Sequence, residues 1–569
     1  GPPQTRPEGS GAAWVWPLAV AAVALAASVT GLRNDLVQDD VSLLVESDRL
    51  HGAAPWRDFF TKPYWPPPHS PDLYRPLTSL LLAVEWVVGA GAPLGFRIAS
   101  YLLYAAVAVG VLGLARRILP GGIARAVALI FAAHPLHVEA VALAVGQSEL
   151  IVGLCAVLMT VRYLDCRRTG TGELGAGDWG LLALLYLVAA LSKEHGLLLP
   201  GLLIAAELTL LHPAGRLGPR IRRLVPGYAL LASLAGLLLL VRAVVLGGSV
   251  TGTFTASALQ GLDFPGRALT MLAVVPHWTR LLLWPIQLQA DYSPREIVAS
   301  TGFGPAEGLG LGLILGAVVA AWLARRKAPT LAFGVLWAGI ALLPVSNILV
   351  PTGIVLAERA LFLPSMGCVL VVGGLLAVLP RWRRPPQPVP AIASRTLLAG
   401  VVVALAVRSA ERQRVWRNDA EFRTRGVADA PRSWRTQLSY ASLLFESRRR
   451  DSALERYRRA LELAPPAERW RVRNDLAEHL FAEGENGPAV EALRASLRES
   501  PEQETTRHYL VLGLLALGAY REAAEQADSA LARGASPALF GELRALADSA
   551  RLLGVPPGGI RIRVRPMGK

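Results

Sequence analysis

Residues 224–246 read LVPGYALLASLAGLLLLVRAVVL, an apolar run directly after the basic cluster Arg216, Arg220, Arg222 and Arg223. A helix needs about 20 mostly apolar residues to cross the hydrocarbon core of a bilayer, so this stretch reads as a membrane span with arginines at one end. The pattern recurs outward in both directions. Candidate spans are Trp14–Thr30, Phe96–Ala115, Ile123–Ala140, Gln147–Tyr163, Trp179–Leu191, Leu197–Leu211, Leu224–Leu246, Ala306–Leu323, Leu331–Leu343, Ala360–Leu379 and Thr396–Val407, about eleven in all. Trp14–Thr30 lacks a small-residue cleavage site and reads as a first span or signal anchor. Beyond Arg408 the chain turns charged, Ala-rich and helical in pattern. Residues 1–410 are therefore expected to form a polytopic helical membrane domain, and residues 411–569 a soluble one.

Bulk composition agrees: 53% of the 569 residues are hydrophobic and only 18% charged. The formal net charge of +15 sits largely in short clusters between apolar runs, where membrane topology explains it and nucleic acid need not be invoked. Cys155, Cys166 and Cys368 lie in or beside apolar segments and read as packing residues, not a disulfide framework or a zinc site. The prevalence of Arg over Lys, with the Ala and Gly load, correlates with a GC-rich bacterial genome, so a bacterial inner membrane is the expected location.

Basic loops favour the cytoplasm. They are Arg116–Arg117 with Arg125, Arg167–Arg168, Arg216 to Arg223, Arg325 to Lys327, and Arg381 to Arg384. A cytoplasmic N-terminus puts all of them inside, provided that Thr270–Ile286, interrupted by Pro276, His277, Arg280 and Pro285, is re-entrant or interfacial. An odd number of spans then puts the C-terminal domain outside. The same topology gathers the unusual polar residues on the outer face: Asp39 and Asp40, His134, His137 and Glu139, Gln147 and Glu149, Lys193, Glu194 and His195, Asp291, and Glu358 with Arg359. Ionisable groups at membrane depth are costly and tend to be functional. Singly, each is equally a salt bridge or a solvated loop residue.

The first outer loop, about 31–95, carries Gln38-Asp39-Asp40, Pro55-Trp56-Arg57-Asp58 and Tyr74-Arg75-Pro76. Adjacent carboxylates repel, so the pair needs cationic neighbours or a purpose such as proton abstraction; an N-cap is the other reading. Later segments are His134-Pro-Leu-His137-Val-Glu139, Gly146-Gln147-Ser148-Glu149, Leu191-Ser-Lys193-Glu194-His195, Leu283-Trp-Pro285 to Asp291-Tyr-Ser293, Leu343-Pro-Val-Ser346-Asn347, and Ala357-Glu358-Arg359 to Leu363-Pro364-Ser365-Met366-Gly367. In this order they resemble the transmembrane and tetratricopeptide repeat (TMTC) family of protein O-mannosyltransferases, over nearly the whole chain. One departure is Gln147, where the animal members are expected to carry arginine.

The resemblance implies a GT-C type membrane glycosyltransferase that uses a polyprenyl- or dolichyl-phosphate mannose donor, with Asp39 and Asp40 as the catalytic acidic pair. Asp39 is the nominal base and Asp40 the orienting group, although the order is reversible. Arg75, Lys193 and Arg359 are the cations expected to stabilise charge on the lipid phosphate. Glu194, Glu358, His134, His137 and Glu139 are expected around the donor or its side-chain partners, a buried histidine being as readily a packing residue. Asp39, Asp40, His134 and Glu139 are suitable metal-ligand types, but their separation gives no spacing signature, and no metal requirement is expected.

From Trp416 onward the chain repeats with a period near 34, as two-helix tetratricopeptide units do. Ala453, Ala489 and Ala523 align, followed by Tyr457, Leu493 and Ala527, then Ala460, Ser496 and Ala530. Units are expected at about 434–467, 470–503 and 504–536, with a capping helix at about 537–553, forming a solenoid that binds an acceptor protein or braces the membrane core. The competing classes are a noncatalytic scaffold, a transferase acting on a lipid or glycan, and a transporter. The last lacks the repeat symmetry many carriers show.

Overall fold

Apolar helical runs that hide every backbone polar group are what a bilayer permits, and the computed structural model is all-α over its described residues, 14–52, 54–66, 72–169, 172–211, 217–248, 255–382 and 391–556, with no strand among them. It separates into two compact units. One comprises residues 1–290 and 299–422, the other residues 291–298 and 423–569.

Ten of the eleven expected spans fall on a helix of the first unit, and the other, Ile123–Ala140, falls on two, Gly121–Ala133 and Val138–Ala142, with a break between them. The helices include Val15–Ser28, Pro93–Ile118, Gln147–Arg168, Leu217–Val245, Pro305–Ala324, Phe362–Trp382 and Ala391–Gln413. Among the described residues, five helices are long and apolar enough to cross a membrane on those grounds alone. A sixth is gained if Gly121–Ala133 and Pro135–Ala142, bent by 44°, count as one. Val15–Gly31, Ala176–Ser192 and Pro329–Val345 are apolar but shorter, so a count of eleven depends on short helices supported by protein neighbours. The segment expected to be re-entrant or interfacial, Thr270–Ile286, lies mostly in one continuous helix, Phe264–Leu283, with Pro276 inside it.

Val20, Tyr104, Phe131, Leu150, Trp337 and Phe362 belong to one buried apolar core that draws on most of these helices. Small residues let two of them approach closely. A Cβ on Gly334 would lie 2.6 Å from the carbonyl oxygen of Gly367, and a Cβ on Gly367 would lie 2.6 Å from that of Gly334. Close approach through glycine is a common way for membrane helices to pack, where no hydrophobic driving force separates helix from lipid.

In the second unit, helix pairs Trp434–Glu446 with Arg450–Leu463, Arg469–Ala482 with Asn486–Glu499, and Glu504–Ala516 with Tyr520–Ala532 precede the helix Pro537–Leu552. This is compatible with tetratricopeptide repeats. The aligned positions Ala453, Ala489 and Ala523 are fully buried, as are Ala460, Ser496 and Ala530. The turns inside the pairs keep register too: Arg448, Gly484 and Gly518 all have positive φ. Asn474 ties its pair to the next by donating to Thr506 at 2.7 Å, and joins the two helices of its own pair by accepting from Ser496 at 2.8 Å.

Residues 291–298 lie along the first pair. Asp291 accepts from Ser433 Oγ at 2.8 Å, the backbone N–H of Arg295 donates to the Arg432 carbonyl at 2.8 Å, and that of Arg432 donates to Glu296 at 2.8 Å. Asp291 therefore serves the second unit and not the polar cluster with which its sequence position grouped it.

Candidate active site

Gln38 adopts φ +53°, the left-handed region that costs a non-glycine residue about 1–3 kcal/mol. Immediately after it, the two aspartates part company. Asp40 is fully buried. Its carboxylate oxygens accept the backbone N–H groups of Ala144 and Val145 at 2.9 and 3.0 Å, and Arg97 lies 3.6 Å away. Arg97 is itself buried and donates to the carbonyls of Asn34, Asp35 and Ala142. Burial raises the pKa of Asp40 above the usual carboxylate value, against the opposing pull of Arg97 and the two N–H groups. Asp40 thus fastens the segment after the first helix to the segment before Gln147.

Asp39 keeps 24% of its side chain exposed and accepts from Arg359 Nη1 at 2.7 Å. Arg359 also holds Glu139: its backbone N–H donates to one carboxylate oxygen at 2.9 Å, and its Nε lies 3.5 Å from the other. Two carboxylates therefore share one guanidinium. Glu358, next in chain, accepts the Gln289 N–H at 2.5 Å and lies 3.8 Å from Arg412.

A second group of charges gathers at the turn after Ala176–Ser192. Thr78 Oγ1 donates to the Ser192 carbonyl at 2.8 Å, which fixes the helix Pro76–Val88 against that turn. Arg75 at its N-terminus then reaches Glu194 with two nitrogens, at 2.7 and 3.1 Å. Arg242 reaches the other oxygen of Glu194 at 3.0 Å. Burial works the other way, but these two guanidinium groups hold Glu194 well below the usual carboxylate range. Lys193 pairs with Glu149 at 2.5 Å, and burial lowers its pKa. By formal charge, the Arg75–Glu194–Arg242 group counts one net positive and the Asp39–Arg359–Glu139 group one net negative. The Lys193–Glu149 pair is neutral, within electrostatic reach of Arg75 and Arg359.

The two histidines do not join this arrangement. His137 bonds Tyr104 Oη at 2.9 Å and Ser365 Oγ at 2.8 Å; His134 faces the Leu282 carbonyl at 3.2 Å and accepts the Leu136 N–H at 3.3 Å. Both are buried with protein partners on both ring nitrogens, so they act in packing. They shape the short turn that delivers Glu139. Gln147 is likewise turned away from Asp39, its amide donating to Glu85 at 2.8 Å and to the Phe96 carbonyl at 3.3 Å. Among the described residues, no three His, Cys, Asp or Glu side chains converge as a metal set.

Arg97 and Arg242 were not singled out by sequence reasoning. Each is a lone charge in an apolar helix, which is the signal that flags a functional or structural partner. Arg242 also lies about 20 residues, roughly 30 Å of helix, from the Arg222–Arg223 cluster.

No family model matches the chain. The chain is 27% identical to "Protein O-mannosyl-transferase Tmtc3" of Drosophila melanogaster, over 69% of this chain and 49% of that one. It is 27% identical to "Protein O-mannosyl-transferase TMTC4" of Mus musculus, over 78% and 65%. Against "Protein O-mannosyl-transferase TMTC3" of Homo sapiens the identity is 27%, over 59% and 40%. The chain thus spans between two fifths and two thirds of the length of these curated relatives. Across most of its length the chain is thus similar to protein O-mannosyl-transferases of the transmembrane and tetratricopeptide repeat (TMTC) family from several animals.

Proposed function

We propose that the protein is a membrane glycosyltransferase that moves a sugar, with mannose the first candidate, from a polyprenyl-phosphate carrier to serine or threonine hydroxyls of proteins. Asp39 takes the acceptor's hydroxyl proton as that oxygen bonds to the anomeric carbon. The bond from this carbon to the phosphate oxygen breaks, and the lipid phosphate leaves with the electron pair. A single displacement of this kind inverts the anomeric configuration. Arg75, Lys193 and Arg359 supply positive charge for the departing phosphate, in place of a proton donor.

The observation that carries this reading is the division of labour between neighbouring aspartates. Asp40 is buried under two N–H bonds, while Asp39 stays partly open beside Arg359. Asp39 is thus the better base, with Asp40 positioning it. The names of the relatives supply the sugar and the protein acceptor. The remoteness of Arg242 from the basic cluster at the other end of its helix supports a site on the non-cytoplasmic side, with the N-terminus cytoplasmic; the Arg, Ala and Gly usage supports a bacterial inner membrane as the setting. In this reading the helix-pair array holds the acceptor polypeptide and raises its effective concentration.

The test is transfer of radiolabelled mannose from a polyprenyl-phosphate carrier to periplasmic or secreted proteins by the purified protein. Transfer that persists in Asp39→Asn removes the mechanism. Failure to transfer from any lipid-phosphate sugar turns the reading toward a noncatalytic scaffold.

A further inference from the structure

Tyr64 belongs to the same outer loop and neither the motifs nor the relatives assign it a role. Its side chain is 2% exposed, and its hydroxyl has no hydrogen-bond partner among the described residues. Buried hydroxyls are nearly always bonded, so an orphan one asks for a missing acceptor. The residue is not loosely placed. Its backbone N–H donates to the Leu73 carbonyl at 2.7 Å, and Arg49 donates to the carbonyls of Pro63 and Tyr64 at 2.7 and 2.6 Å. Trp65 packs edge-on to the ring with centroids 5.4 Å apart, and the Arg75 guanidinium sits over the ring face, 5.2 Å from its centroid.

Tyr64 is within electrostatic reach of both charge groups, Arg75 on one side and Asp39, Asp40 and Arg359 on the other. Of the charges around it, Arg75, Arg359 and Asp39 keep part of their side chains open to solvent, so a ligand can reach the groups that surround the tyrosine. A phenol donates one hydrogen bond, and the ligand atom it faces must accept. Beside a guanidinium, in the group that carries net positive charge, the complementary acceptor is an anionic oxygen. A neutral sugar hydroxyl gains little from that position.

We propose that the Tyr64 hydroxyl is a substrate-contacting group that donates a hydrogen bond to a phosphate oxygen of the lipid-linked donor, seated against Arg75 and Arg242. The proposal rests on the sugar-transfer reading and narrows its phosphate site to the Arg75–Glu194–Arg242 side, with Arg359 left to orient Asp39.

The experiment compares the full-length wild type with Tyr64→Phe, purified in detergent. It measures thermal stability without ligand, affinity for undecaprenyl phosphate by thermal shift, and transfer from undecaprenyl-phosphate mannose. Removing an unpaired hydroxyl should leave the ligand-free melting temperature unchanged or raised. Losing a hydrogen bond to a charged oxygen should weaken undecaprenyl phosphate binding by about tenfold to a hundredfold, with a matching loss in kcat/KM. A lower ligand-free melting temperature would mean that the hydroxyl has a protein partner, and would overturn the proposal. Unchanged lipid-phosphate affinity in Tyr64→Phe, with a wild type that binds and transfers, removes Tyr64 from the site and leaves the sugar-transfer reading standing. A wild type that neither binds undecaprenyl phosphate nor transfers overturns both.

Discussion

Asp39→Asn and Asp40→Asn should separate activity from stability, in opposite directions. In Asp40→Asn the amide has one acceptor oxygen where the carboxylate had two. One of the N–H groups of Ala144 and Val145, 2.9 and 3.0 Å away, then faces an NH2 donor. Arg97, 3.6 Å away and fully buried, loses this charge partner. Breaking a buried pair while leaving the other charge in place costs about 3–5 kcal/mol. One kcal/mol shifts the melting temperature of a domain of 150–250 residues by about 2–4 °C and a larger one by less, so a fall of at least about 5 °C is expected. Asp39→Asn removes a partly exposed partner from Arg359, which retains Glu139, and a change under about 1 kcal/mol is expected for such a pair. Its transfer rate should nevertheless fall by about 10² to 10⁴, the range lost with a general base. Differential scanning fluorimetry and the mannose transfer assay, run on the same preparations, provide both numbers. A stable, inactive Asp40→Asn beside an active Asp39→Asn would refute the assignment of base and positioning residue.

Four further outcomes are expected. Burial raises Glu85 to about 7, opposed in part by its bond from Gln147. The folded protein therefore holds a proton there that the unfolded chain has released, and stability should fall as pH rises from about 4.5 to 7; Glu85→Gln should flatten that slope in a pH series of melting temperatures. Gln38→Gly should preserve transfer, because glycine accepts φ +53° without strain, whereas Gln38→Val should lower both the melting temperature and transfer. Arg448 occupies with φ +58° the turn position that Gly484 and Gly518 fill in the next two pairs, so Arg448→Gly should stabilise the second unit by about 0.5 kcal/mol in urea melts. Gly367→Leu must push apart backbones that allow a Cβ only 2.6 Å from the Gly334 carbonyl, and should lower the yield of folded protein in size-exclusion chromatography.

The helices of the first unit were legible because a bilayer leaves little choice: an apolar run must be helical, and its arginines mark its ends. The repeat phasing was legible for a related reason. Each pair needs a small residue where its helices cross, and Ala453, Ala489 and Ala523 are all fully buried. Legibility failed where a role depends on which partner a side chain finds. His134 and His137 carried the same signal as Glu139, yet their ring nitrogens are taken up by Leu282, Leu136, Tyr104 and Ser365, and only Glu139 meets Arg359. Residues 291–298 showed no sign in sequence of joining the second unit, because their bonds to Arg432 and Ser433 are mostly backbone bonds or capping contacts open to many residue types.

The acidic pair shows the limit most clearly. Asp39 and Asp40 are identical residues at adjacent positions, so no pattern, charge count or hydropathy value distinguishes them. The distinction arises from the backbone one residue earlier. The left-handed Gln38 and the short turn that follows send Asp40 to the amides of Ala144 and Val145, and Asp39 to Arg359. Those amides are available because the chain between Glu139 and Gln147 leaves its helix there. Arg359 is available because its own N–H anchors it to Glu139. The chemistry of Asp39 is therefore set by two breaks in helices about a hundred and more than three hundred residues downstream. A substitution that mends either break, such as replacing Gly146, whose Cβ would lie 2.2 Å from the Ala140 carbonyl, should disable the base without touching it.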